Sequence, residues 1–155
     1  MLPKAMTCAL LIAVAGMSTA FGAAEACTCV GVSLEEAIAE AGAIFTATAL
    51  DTQRTEFLGV TYWAMTVQVH QYWKGVISDP MVIYTGENES VCGLLVYPGE
   101  EYLFFAYGNP GGYSIGLCSY TMPIGYAGDV IAQLGPPLAV QAKPHSWGRV
   151  KSIYR

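Results

Sequence analysis

Hydrophobic and polar positions change their spacing several times along this chain. Apolar residues first recur at Leu34, Ala37, Ile38 and Ala41, the i, i+3, i+4, i+7 spacing of a helix lying on an apolar surface. Ser33-Leu34-Glu35-Glu36 is a capping box that starts this helix, and Gly42 stops it. From Ala43 the period is two. Ala43–Leu50 predicts a first strand, and the polar stretch Asp51–Gly59 predicts a turn. A long second strand follows over Val60–Trp73, where Trp63, Met65, Val67 and Val69 alternate with Tyr62, Ala64, Thr66, Gln68 and His70. Met81–Thr85 and Glu101–Tyr107 predict the third and fourth strands. The turn residues Gly108-Asn109-Pro110-Gly111-Gly112 lead to a fifth at Tyr113–Leu117. Asp129–Leu134 predicts a second short helix, closed by Gly135-Pro136-Pro137.

Five short strands with flanking helices predict an all-β fold, a small closed barrel rather than a sandwich of seven or more strands. Met1–Ala26 stands outside this pattern. Lys4, the apolar run Ala9–Val14 and the small residues ending Ala24-Glu25-Ala26 have the layout of a secretory signal. The run is too short to span a bilayer. Residues 27–135 are then the barrel domain. Residues 136–155 form a proline-containing, loosely ordered tail, in which Lys143, Arg149, Lys151 and Arg155 meet no acid.

Composition sharpens this picture. The 155 residues are 54% hydrophobic and 12% charged, enough for one domain with a real core. Removing the leader takes away Lys4 and Glu25 together, so the net charge stays at −5. So acidic a chain has no phosphate-tracking surface, which argues against nucleic acid as a partner. Cys8 leaves with the leader and turns five cysteines into four, an even number suited to an oxidising compartment. No later stretch is long and apolar enough for a transmembrane helix. The expected location is extracellular, or periplasmic in a Gram-negative host.

Catalytic chemistry finds little to work with. Only His70, on the polar side of its strand, and His145, in the tail, are histidines. Neighbouring acids such as Glu35/Glu36 and Glu100/Glu101 diverge on a helix or strand. Neither an enzyme nor a cofactor is expected. The cysteines carry the information. Cys27-Thr28-Cys29-Val30 directly follows the cleavage site, Cys92 sits in Glu89-Ser90-Val91-Cys92-Gly93, and Cys118 in Leu117-Cys118-Ser119. Cys27 and Cys29 are too close along an extended segment to bridge each other comfortably. Each therefore pairs with one of Cys92 and Cys118, and both such pairings remain open. Either one staples the new terminus, ordinarily a loose part of a chain, onto the body.

Cys27-Thr28-Cys29-Val30, Glu89-Ser90-Val91-Cys92-Gly93 and Cys118-Ser119-Tyr120 together resemble the N-terminal, netrin-like domain of the tissue inhibitors of metalloproteinases. Tyr72-Trp73-Lys74-Gly75 and Tyr102-Leu103 are also similar to that family, and the likeness covers about residues 27–135. It implies a netrin-like, five-stranded OB-like closed barrel and the bridges Cys27–Cys92 and Cys29–Cys118. The chain departs from the animal inhibitors in lacking the third disulfide of that domain and the whole C-terminal disulfide-rich domain. Its segment after Val30 is shorter and begins Gly31-Val32. It thus resembles a short microbial relative.

The resemblance implies a secreted inhibitor of zinc metalloendopeptidases. The free amine and carbonyl of Cys27 would chelate the catalytic zinc of the target and expel its water, so the metal belongs to the partner protease. An α-amine with a pKa of about 7.7–8.0 is available in its neutral form at mild pH. Thr28 would enter the pocket that receives the residue after the scissile bond. Cys29 and Val30 would lie along the cleft, and Ser90 and Val91 would complete an inhibitory ridge. Two other readings stand beside this one. The chain could be a non-inhibitory netrin-like module binding a protein, or a glycan along the Tyr102–Tyr107 aromatics, or it could be a structural envelope protein.

Overall fold

Ser33 starts the first helix, α1 (Leu34–Glu40), with the bonds a capping box requires. Its hydroxyl accepts from the Glu36 N–H at 3.3 Å, while Glu36 Oε2 accepts from the Ser33 N–H at 2.9 Å and from its hydroxyl at 2.7 Å. These bonds, the side-chain one first, hold the Glu36 carboxyl below its ordinary range. The structure, a computed structural model, describes residues 27–138. The signal segment Met1–Ala26 and the tail beyond Leu138 lie outside the described residues.

Five antiparallel strands follow: β1 (Ala43–Phe57), β2 (Val60–Lys74), β3 (Met81–Gly86), β4 (Glu101–Ala106) and β5 (Met122–Pro123), in the order β3-β2-β1-β4-β5. A second helix, α2 (Gly128–Leu134), comes after them. The main core gathers Phe45, Ala47, Met65, Val67, Ile83 and Phe104 on one face of the sheet. Phe45 and Phe104 stack there with ring centroids 5.1 Å apart. Ile44, Leu103 and Phe105 point the other way, into a smaller cluster with Ala37, Ala41 and Val130 of the helical layer. The centre of the sheet is thus buried on both faces, which is why Tyr102–Ala106 reads as an unbroken apolar run. Lys74 Nζ donates to Ile38 O at 2.7 Å and Ala39 O at 3.0 Å, placing a cation on the carbonyl end of α1.

Three sequence expectations need correction. Asp51–Phe57 is not a turn but the outer half of β1, paired with β2 as far as Phe57↔Val60. There the hairpin leaves the core, both of its faces meet solvent, and the apolar alternation that marks a strand disappears. The turn itself is Leu58-Gly59, with φ of 51° and 77°, the double positive φ of a primed hairpin turn. The sheet is also open, so the expected closed barrel is not what forms. Third, Tyr113–Leu117 is not a ladder strand. Ser114 makes isolated bridges, parallel with Tyr84 and antiparallel with Tyr107, through backbone bonds of 2.8–3.0 Å. Gly111-Gly112 before this segment and Gly116 within it leave only a few residues to pair. The fifth strand is the short Met122–Pro123, whose proline is tolerated because it lies at the sheet edge.

Tyr102 donates its hydroxyl to Glu100 Oε2 at 2.9 Å. Burial, followed by the Glu100 hydrogen bond and charge, pushes its phenol up to about 12. The folded value lies above the ordinary one, so the contribution of Tyr102 to stability is complete below pH ~10 and lost as pH rises through ~12. An alkaline titration followed by tyrosinate absorbance should show one phenol ionising near 12, and Tyr102→Phe should remove that step.

Candidate functional site

The loop after β3 is built on backbone packing. Asn88 caps a 3-10 turn over Glu89–Val91 by accepting from the Ser90 N–H at 3.0 Å through its side chain. Its carbonyl accepts from Gly93 N–H at 2.9 Å. Cys92 takes the left-handed conformation, φ 57°, and turns the chain back. A Cβ on Gly93 would stand 2.1 Å from Gly86 O, so the two ends of the loop touch as only glycine permits. Ser90 and Val91 are left exposed at its crest.

A second loop, residues 116–119, is tied to the first. Leu117 N–H donates to Cys92 O at 2.9 Å, and Ser119 Oγ donates to Gly116 O at 2.7 Å. Tyr107 donates its hydroxyl to Cys118 O at 3.3 Å. Burial, with the charge of Glu40 behind it, raises this phenol above its ordinary value, so it stays a neutral donor. Cys92 and Cys118 are thereby held at one edge of the molecule. Of the two pairings that spacing left open, the structure has Cys27–Cys92 and Cys29–Cys118, with Cα separations of 5.5 and 5.2 Å.

These bridges bring together all six residues named from the sequence. Cys27 is half-buried, with its Sγ 4.0 Å from Ser90 O. Thr28, Cys29, Val30, Ser90 and Val91 are exposed, Val30 at 82%. The segment 27–30 and the crest Ser90-Val91 therefore adjoin as two halves of one edge. Below them lies a cleft of about 410 Å³, lined by Tyr62, Val91, Cys92, Tyr107 and Cys118 and reached by Val60 from the β1–β2 hairpin. The tip of that hairpin exposes Phe57 and Leu58.

Other candidates resolve into structural roles. His70 Nε2 lies 2.8 Å from Thr48 Oγ1, and His145 is outside the described residues. Among the described residues no three or more His, Cys, Asp or Glu side chains gather as a metal site. None of their helices is long and apolar enough to cross a membrane. Trp63 and Trp73 are half-buried, their indole N–H groups donating to Glu87 O at 3.0 Å and Gly135 O at 2.8 Å. Of the Tyr102–Tyr107 aromatics, Tyr102, Phe104 and Phe105 are buried in the core, and Tyr107 lines the cleft.

Sequence reasoning assigned no structural role to the footings of the site, Asn88, Gly86, Gly93, Gly116 and Ser119. The one available signal was Asn88-Glu89-Ser90, a spacing suited to a side-chain-capped turn. No protein-family model matches the chain, and no curated protein does.

Proposed function

We propose that this chain is a secreted inhibitor of zinc endopeptidases that acts through Cys27. The observation that carries the reading is the single exposed edge made by residues 27–30 and the crest Ser90-Val91, fastened by two disulfides. Removal of Met1–Ala26 frees the α-amine of Cys27. Amine and carbonyl then close a five-membered chelate on the zinc of the target and displace its water. Thr28 fills the adjoining specificity pocket, and Val30, Ser90 and Val91 cover the cleft on either side. The bridges hold this edge in one shape, which lowers the ordering cost of binding. Kinship with the netrin-like, OB-type domains belongs to the same proposal and is supported by the contacts of Ser114 with both Tyr84 and Tyr107.

Thr28→Gly tests the pocket assignment. Thr28 is exposed, so thermal stability should hold while inhibition of a responsive zinc endopeptidase weakens roughly 10–100-fold. Unchanged inhibition would remove Thr28 from the ridge. The exposed Phe57 and Leu58, beside the cleft reached by Val60, favour a second reading, a non-inhibitory module that docks on a protein partner. Under that reading, replacing Phe57 and Leu58 abolishes binding, and Thr28→Gly does nothing.

A further inference from the structure

Residues 27–31 hang from the body by sulfur. Among the described residues, no backbone hydrogen bond joins this segment to the rest of the molecule. The Cys27 Sγ to Ser90 O approach at 4.0 Å involves a bridge atom itself. A Cβ added at Gly31 would have no atom within 4 Å, so the chain is unconfined just where the segment meets its root. That root is firm: Val32 packs on the helical cluster, and Ser33 is locked into the capping box. Cys29, Cys92 and Cys118 are exposed, so each bridge has at least one cysteine at the solvent surface. None of the four cysteines belongs to either hydrophobic cluster.

We infer that the segment is a redox-released strap, hinged at Gly31, which a dithiol reductant frees without unfolding the body. A thiolate of the reductant attacks a bridge sulfur, the S–S bond breaks, and a mixed disulfide forms. The second thiol of the reductant then displaces the protein sulfur. For each bridge, two electrons and two protons pass to the protein as two thiols, and the reductant leaves as its own disulfide. With both bridges open, the edge made by residues 27–30 and Ser90-Val91 no longer exists, and reoxidation rebuilds it. The device would switch the inhibitory site proposed above, but it rests on the attachment of the strap and not on what that site binds.

The test compares the oxidised protein with the same protein in excess dithiothreitol, with no protease present. Backbone relaxation should show Thr28–Gly31 passing from ordered, with order parameters near ~0.85, to flexible, below ~0.6. Amides of Ala47, Val67 and Phe104 should keep their hydrogen-exchange protection. Removal of the reductant under oxidising conditions should restore the first state. Loss of core protection in step with the strap would overturn the inference, since reduction would then unfold the body. An ordered strap after both bridges are reduced would overturn it too. A bridge-free reference with all four bridging cysteines replaced, Cys27→Ser/Cys29→Ser/Cys92→Ser/Cys118→Ser, should match the reduced protein in both measurements. Since no readout involves inhibition, failure here is distinct from failure of the inhibitory proposal.

Discussion

One extra residue in front of Cys27 should weaken zinc-endopeptidase inhibition on the order of 1,000-fold, about 4 kcal/mol. The extension converts the amine into an amide, which has no basic lone pair to offer a metal. It also places a peptide group where the zinc would have to sit. Nothing in the body changes, because Cys27–Cys92 and Cys29–Cys118 still fix the segment and its residues are exposed or half-buried. The comparison needs two exported forms, one beginning at Cys27 and one extended by an alanine. Intact mass before and after reduction and N-terminal sequencing would verify each form. Matching thermal transitions would show that the fold is intact. Equal inhibition by the two forms would end the chelation proposal and leave the protein-binding module as the leading account.

Phe104→Ala should cost about 3–5 kcal/mol of folding stability, a large share of the roughly 5–15 kcal/mol that a domain possesses. Phe104 is fully buried in β4, stacked on Phe45 at 5.1 Å and tilted against Tyr102 at 5.8 Å. It therefore fills the main core at the point where β1 and β4 meet. Truncation removes the contacts of both ring faces and leaves a cavity that a two-sided sheet cannot close by settling. The measurement is the shift in denaturant midpoint at unchanged slope. A shift corresponding to less than ~1 kcal/mol would mean that the centre of the sheet can repack around the missing ring.

Much of this organisation was legible because it is written in local patterns. The Ser33–Glu36 box, the alternation through Val60–Trp73 and the apolar run at Tyr102–Ala106 each report a physical period or cap that needs no distant partner. The signal fails where an element is held by pairing alone. Asp51–Phe57 carries no alternation, since both of its faces meet water, and its strand conformation comes from β2. Ser114 lies between two edges without extending into a ladder, a result of the glycines around it that apolar periodicity cannot encode. At the site, cysteine spacing marked the residues that meet but left two pairings open. Choosing between them depends on the 86–93 loop folding back at Gly86 and Gly93 and on Leu117 reaching Cys92 O. Those are contacts between backbones, and backbones have no sequence of their own.

The division between that glycine-bound base and its exposed crest bears on how such an edge diversifies. Thr28, Val30 and Ser90 expose their side chains to solvent, while the conformation that presents the edge is fixed by Gly86, Gly93, Asn88 and the sulfur bridges. Most surface substitutions lie within about ±0.5 kcal/mol in stability. Selection can therefore rewrite the crest residue by residue, changing what the edge fits while the domain beneath keeps its stability. Shape is stored in one set of residues and preference in another, and the two can evolve at separate rates.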